Sequence, residues 1–351
     1  MVIMKTRIKT YALAILAVAG LISCEKVSPI GVLVSGTAVE DRVEMSHSYY
    51  STYKGDFREH LAPSGEYSFL VGADSHVTSD LGRMQEMLQI GLDHDDLMYC
   101  HLGDIADTKA EYYINLGTLI DEYKWRYARK YYKEIYVGED DDEWEREDRS
   151  NYIYEDTVYN SIYTVNDIPF PFYPVVGNHD ITHNGWALWS NLFHSSFYDV
   201  YVTVGEEQNI VDHFIFLDTA SGTLGKKQVE LIEEGALFGK ELEEFGLKMR
   251  HTFVFTHTNL FRPSSMQFAS TFAREETFFL LKQFEKWNVH TVFYGHVHKW
   301  DERDYAGVKH ITLDSMSERN SPGPGDYLLR VHVKADGTVS YEKVRMNYVA
   351  P

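Results

Sequence analysis

The sequence predicts an α/β fold, and two observations carry that reading. Short apolar runs suited to strands alternate with amphipathic stretches at helical spacing, and five of the runs are followed at once by a motif dense in Asp, His and Asn. In chain order, Tyr67–Val71 precedes Asp74-Ser75-His76, and Leu81–Leu92 then reads as a helix. Leu97–Leu102 precedes Gly103-Asp104-Ile105-Ala106-Asp107. A helical pattern with Leu119, Tyr123, Tyr127 and Tyr131 recurring every four residues comes next. Phe172–Val176 precedes Gly177-Asn178-His179-Asp180, and a Trp-bearing helix is expected near Trp186–Phe193. Strands near Tyr201–Val204 and His213–Leu217 and a helix around Lys227–Glu234 follow. Phe253–Phe255 precedes Thr256-His257, and Val292–Tyr294 precedes Gly295-His296-Val297-His298. Lys309–Leu313, Tyr327–Val333 and Ser340–Val344 close the chain as strands with hairpin turns.

The N-terminus reads as an export signal. Lys5, Arg7 and Lys9 form a basic start, Tyr11–Ile22 is apolar, and Leu21-Ile22-Ser23-Cys24 follows. Twelve apolar residues are too few for a bilayer span, which takes roughly 18 or more. The ending resembles a bacterial lipobox, which implies cleavage after residue 23 and a lipid anchor on Cys24. The organisation expected is therefore a signal peptide over 1–23, a tether with a possible edge strand at Val43–Tyr53 over 24–62, and one domain over 63–351. The localisation expected is an exported lipoprotein facing the periplasm or cell surface, touching the membrane through the anchor alone. Cys100, inside an apolar run, reads as a buried thiol.

The formal net charge is −20, and it is more negative still without the basic leader. A surface this acidic repels nucleic-acid backbones, so no nucleic-acid partner is expected and a nuclease is disfavoured. Small anionic substrates need a local cationic centre.

Asp74 and His76 are two apart, as are His296 and His298, a spacing that in extended chain puts both side chains on one side. The five motifs, in this order, resemble the calcineurin-like metallophosphoesterases, and the resemblance covers roughly Tyr67 to Val344. It implies two packed mixed β-sheets flanked by helices, with an aromatic and acidic insertion at about 109–168. It also implies two divalent transition-metal ions, Mn, Fe, Zn or Ni. Asp74, His76 and His298 would hold one, Asn178, His257 and His296 the other, and Asp104 would bridge them. With one bridging hydroxide such a site keeps a net charge of about +1, so it stays attractive to an anionic ester. The activity implied is hydrolysis of a small phosphomonoester or phosphodiester by attack of that hydroxide. His179 would stabilise phosphoryl oxygens and protonate the leaving alkoxide, and Asp107 would orient it. A helix N-cap is the other reading of Asp107.

Two departures narrow the resemblance. Asp107 stands where purple acid phosphatases carry a tyrosine, which argues against a Tyr–Fe(III) site. Thr108-Lys109 stands where phosphoprotein phosphatases continue with Arg-Gly, which argues against a phosphoprotein substrate. Arg262 and His183 are candidate substrate contacts, each with an ordinary surface role as the alternative. The insertion's aromatics, Tyr123, Trp125, Tyr127, Tyr131 and Trp144 among them, either pack against the domain or cap the cleft. The acidic run Glu139–Asp148 reads as a solvated face, since Trp144 interrupts the spacing a calcium loop needs. The competing class is a catalytically silent lipoprotein that keeps the fold to bind a ligand or partner. His179 argues against it, because metal retention does not require that residue.

Overall fold

A computed structural model describes residues 38–52, 59–138, 146–205, 207, 209–235, 246–261, 272, 274–317 and 327–348. The leader, Cys24, Trp144 and Arg262 lie outside the described residues, as does most of the acidic run.

Two mixed sheets pack face to face. In one, β2 (Tyr67–Gly72), β3 (Met98–His101) and β7 (Phe172–Pro174) run parallel, and β14 (Tyr327–Val333) and β15 (Val339–Arg345) add antiparallel, giving the order β15-β14-β2-β3-β7. The other holds β1 (Glu59–Ala62), β8 (Tyr198–Val204), β9 (Ile210–Leu217), β10 (Lys248–Thr256), β11 (Val289–Tyr294), β12 (Asp301–Tyr305) and β13 (Val308–Thr312), in the order β1-β8-β9-β10-β11-β13-β12. Alternation along the strands builds the layers. Phe69 and Val71 face Phe214, Phe216, Phe253 and Phe255 between the sheets. Their neighbours Leu70, Ile215 and Val254 face outward under helices.

Helices α2 (Gly82–Asp93), α3 (Ala110–Tyr131) and α4 (Gly185–Phe193) cover the first sheet through Met84, Leu88, Leu116 and Trp189. Helices α1 (Val39–Thr52), α5 (Gly225–Glu234) and α6 (Arg274–Lys286) cover the second through Val43, Leu231 and Phe284. Cys100 is buried between the sheets, and burial pushes its thiol up.

Within the expected tether over 24–62, Val39–Thr52 form helix α1 in place of the edge strand expected at Val43–Tyr53, Tyr53 itself lying outside the described residues, and the edge strand is β1, beyond it. Tertiary partners decide this. Val39 and Val43, one helical turn apart, enter the core. Arg42 is fully buried and gives Asp218 two hydrogen bonds of 2.8 Å. Glu40 accepts the N–H groups of Lys226 and Lys227 at the start of α5. The packed unit therefore begins well before residue 63. Within the insertion, β4 (Lys133–Tyr136), β5 (Tyr152–Asp156) and β6 (Ser161–Thr164) form a small antiparallel sheet. Among the insertion's described aromatics, Tyr123 is buried and donates to Gln89 of α2, Arg129 and Arg149 sit over the Trp125 ring, and Tyr131 stays exposed.

Candidate metal centre

Both sheets deliver ligand-type residues to one end of the sandwich. The loops after β2 and β3 stay zipped together: the N–H groups of Asp74, His76 and Val77 donate to the carbonyls of Gly103, Asp104 and Ile105. This carries the parallel pairing past the strand ends and sets Asp74 and His76 beside Asp104. The expected extended spacing does not hold. Asp74 (φ 50°), His76 (φ 42°), Asp104 (φ 51°), His296 (φ 68°) and His298 (φ 52°) all adopt left-handed backbone, five of the seven expected ligands. Convergence comes from sharp turns off the strands, each costing on the order of 1–3 kcal/mol. Close approach of backbones completes it: a Cβ on Gly177 would lie 2.1 Å from the Asp104 nitrogen.

The ligand atoms form two clusters that share one residue. Asp74, His76, Asp104 and His298 make the first, and Asp104, His257 and His296 the second, with ligand atoms within 4.8 Å of one another in each. Asp104 Oδ1 accepts the backbone N–H of His179 at 2.7 Å. Its Oδ2 lies 3.5 Å from His257 Nε2 and 3.9 Å from His76 Nε2. Asp74 accepts the N–H of His296 and lies 3.4 Å from His298 Nε2. Burial alone would raise the carboxyls of Asp74 and Asp104, yet the surrounding histidines hold both well below the usual range.

Three features fit this set to cations. Asp74 and Asp104 are buried, and among the described residues neither faces a lysine or arginine. Buried carboxylates are costly unless charge partners them. His76 Nε2 and His298 Nε2 point at each other at 3.3 Å. His257 Nδ1 donates to the Leu102 carbonyl at 2.7 Å, which fixes the tautomer. Its Nε2 keeps a lone pair, 3.0 Å from Asn178 Oδ1. Two acceptors facing each other, as His257 Nε2 and Asn178 Oδ1 do, are reconciled by a shared cation.

His179 is half-buried at the rim, its ring 4.7 Å from that of His76 and perpendicular to it. Asp107 is grouped with both, and its Oδ1 lies 3.7 Å from His76 Nδ1. It therefore stands beside an expected ligand, His76, as well as the expected acid. It is not the cap of α3, whose N-cap is Lys109. Asp180 is structural: its Oδ1 accepts from Ile105 N–H and the Tyr113 hydroxyl, and its Oδ2 from Gly177 N–H, tying the two central motifs together. His183 is exposed, at φ 50°, and joins neither cluster.

The sequence reading missed Thr219 and Ser315. Thr219 Oγ1 accepts the N–H groups of His257 and Thr258, and Ser315 Oγ donates to the Asp74 carbonyl. A signal existed for Thr219, which follows the apolar run of β9 as the motifs follow theirs. Ser315 carries none.

No family model matches the chain, and no curated protein matches it by sequence. Solved structures similar to it include GAP50, the anchor in the inner membrane complex of Plasmodium, at 13% identity and TM-score 0.37, over 81% of this chain and 90% of that one. A dimetal phosphatase from Danio rerio aligns at 11% identity and TM-score 0.41, over 81% of this chain and 100% of that one. An archaeal phosphodiesterase aligns at 10% identity and TM-score 0.35, over 79% and 99%.

Proposed function

We propose that the protein is a dinuclear-metal hydrolase of small phosphate esters, exported and anchored to a membrane by lipid at Cys24. The observation that carries the hydrolase reading is Asp104 Oδ2, placed between the imidazoles of two half-sites with His179 beside them. Asp74, His76 and His298 would hold one divalent ion, Asn178, His257 and His296 the other, and Asp104 would contribute to both. Bound there, such ions supply an electrophilic centre for phosphoryl oxygens and lower the pKa of water.

The chain's own groups do the rest. The bond from His179 N–H to Asp104 fixes the His179 backbone against the centre, so its ring can hold a proton at the position of a leaving alkoxide. The Asp107 carboxylate stands in one cluster with the His179 and His76 rings, where it can orient His179. Mixed imidazole, amide and carboxylate ligation accommodates Mn, Fe, Zn or Ni. The acidic surface favours small esters over nucleic acid.

The test compares p-nitrophenyl phosphate with bis-p-nitrophenyl phosphate after metal stripping and reloading with Mn²⁺. His179→Ala should keep its metal and lose about 10²–10⁴-fold in turnover. Preference for one ester assigns monoesterase or diesterase activity. Absence of turnover on both, with metal bound, would favour a silent binding protein instead. Labelled fatty acid incorporated into the native chain and not into Cys24→Ala tests the anchor.

A further inference from the structure

Away from the metal end, the insertion closes over the start of β7 and leaves a cavity of about 250 Å³. Helix α3 begins three residues after Asp107, and Tyr127 lies 17 residues further along it, about 25 Å at 1.5 Å per residue. No expected metal ligand lines the cavity. Its walls are aromatic: Tyr127, Tyr132, Tyr159 and Phe170 are among them, with Tyr127 edge-on to Phe170 at 5.8 Å and to Tyr132 at 6.0 Å. Its charged groups are the carboxyls of Glu59 and Asp156. Asp156 is buried, and its Oδ1 accepts the N–H groups of Val158 and Tyr159. No lysine or arginine stands against it among the described residues.

We infer that this cavity binds a small organic cation, an ammonium headgroup of the choline type, through its aromatic walls and the Asp156 carboxylate. Ring faces carry negative potential and attract a desolvated cation. The volume lies below the roughly 300–1,000 Å³ of drug-sized pockets, which suits a headgroup. Several described cations of the insertion are engaged elsewhere: Arg126 sits over Tyr123, Arg129 and Arg149 over Trp125 and Lys130 over Tyr131, while Lys124 donates to the Asn166 carbonyl and Lys133 pairs with Glu155. An anion is disfavoured, because no lysine or arginine lines the cavity. His60, which does line it, is kept neutral by burial, its pKa lowered to about 4. Burial, with the nearby Glu59 and Asp156 charges, pushes Tyr159 up to about 12, so that phenol stays uncharged as well.

The experiment titrates the full chain with tetramethylammonium, choline and the neutral tert-butyl analogue of choline by calorimetry. Saturable binding of both cations is expected, with the neutral analogue at least about tenfold weaker. Asp156→Asn keeps the Oδ1 acceptor that holds the turn and should weaken choline about tenfold, and Tyr132→Leu should weaken it similarly. Circular dichroism melts certify that both variants are folded. Equal binding of the neutral analogue, no binding of any cation, or native affinity in both folded variants overturns the proposal. Phosphatidylcholine vesicles distinguish the sources of the same chemistry. Co-sedimentation displaced by choline assigns a lipid headgroup, and choline binding without co-sedimentation assigns a free ammonium compound.

Discussion

Gly177→Ala should disable the proposed metal centre although it replaces no expected ligand. Gly177 is not among the residues with positive φ, so alanine suits its backbone and the effect is one of space. The added Cβ would lie 2.1 Å from the Asp104 nitrogen and 2.2 Å from Asp104 Oδ1. Real Cβ contacts stop near 3.0 Å, so about 0.9 Å must be found. Neither side yields cheaply. Asp104 Oδ1 holds the His179 N–H, and Gly177 N–H is bound to Asp180 Oδ2. The shift therefore passes to Asp104 and His179. Misplacement by about 1 Å costs about 10²-fold in rate, and overpacking of this kind costs about 1–3 kcal/mol in stability. The assay is kcat/KM on the better p-nitrophenyl ester, with bound Mn²⁺ counted by mass spectrometry. Gly205→Ala is the control: its Cβ would meet nothing within 4 Å, and its φ of +81° makes the substitution a backbone cost of about 1–2 kcal/mol with no effect on rate. A Gly177→Ala protein with full metal content and a rate within about threefold of native would refute the close-approach argument.

Other outcomes follow from the same geometry. Asp218→Ala strands the buried Arg42 and should cost about 3–5 kcal/mol in urea unfolding, while the double variant with Arg42→Met should recover part of that; a double variant no better than the single one would remove the pair's role. Free Mn²⁺ at a hundredfold excess over its Kd should raise unfolding free energy by about 2.7 kcal/mol over the chelated protein, and an unchanged melt would refute a native-state metal site. His60 has a folded pKa of about 4, below its ordinary 6.5. The unfolded chain therefore binds the extra proton between those values, and stability should fall as pH drops from about 6.5 to 4, by up to about 3 kcal/mol. His60→Gln should flatten that window, and an unaltered pH profile would assign the acid lability elsewhere.

The parts legible in the sequence are those where one local rule decides. The strands ahead of the motifs were readable because apolar runs such as Phe253–Phe255 must be buried, and their period of two continues into both layers. The left-handed turns at the ligands were not readable: Asp and His tolerate positive φ more often than other residues, but that preference alone does not place Asp74 or His298 there, and the zipped loops and nearby glycines decide it. Helix α1 was hidden for a related reason. Its sequence has Tyr49-Tyr50 and a weak apolar stripe, and the residue that fixes it, Arg42, finds its partner 176 positions away. The small sheet of the insertion was missed because Tyr152 and Tyr154 alternate only briefly, within a polar stretch.

The position of the centre ties its geometry to the core. Asp74, His76, Asp104 and Asn178 come from the sheet of β2, β3 and β7, while His257, His296 and His298 come from the sheet of β10 and β11. Each proposed half-site thus draws its residues from both sheets, and their separation is set by what lies between the sheets. That filling is largely aromatic: the Phe69 ring stands 5.1 Å from Phe214 and 6.1 Å from Phe293, and Phe216 stacks on Phe255 at 4.6 Å. Interiors packed this densely transmit strain rather than absorb it. Truncating Phe255, one residue before the Thr256-His257 motif, removes spacing as well as burial. Its loss should register in metal affinity beyond the about 3–5 kcal/mol expected of a buried phenylalanine. A more distant aromatic of the same layer, Phe253, should cost similar stability with less effect on metal. Equal metal affinities in the two variants would show that the sheets hold their separation without this packing.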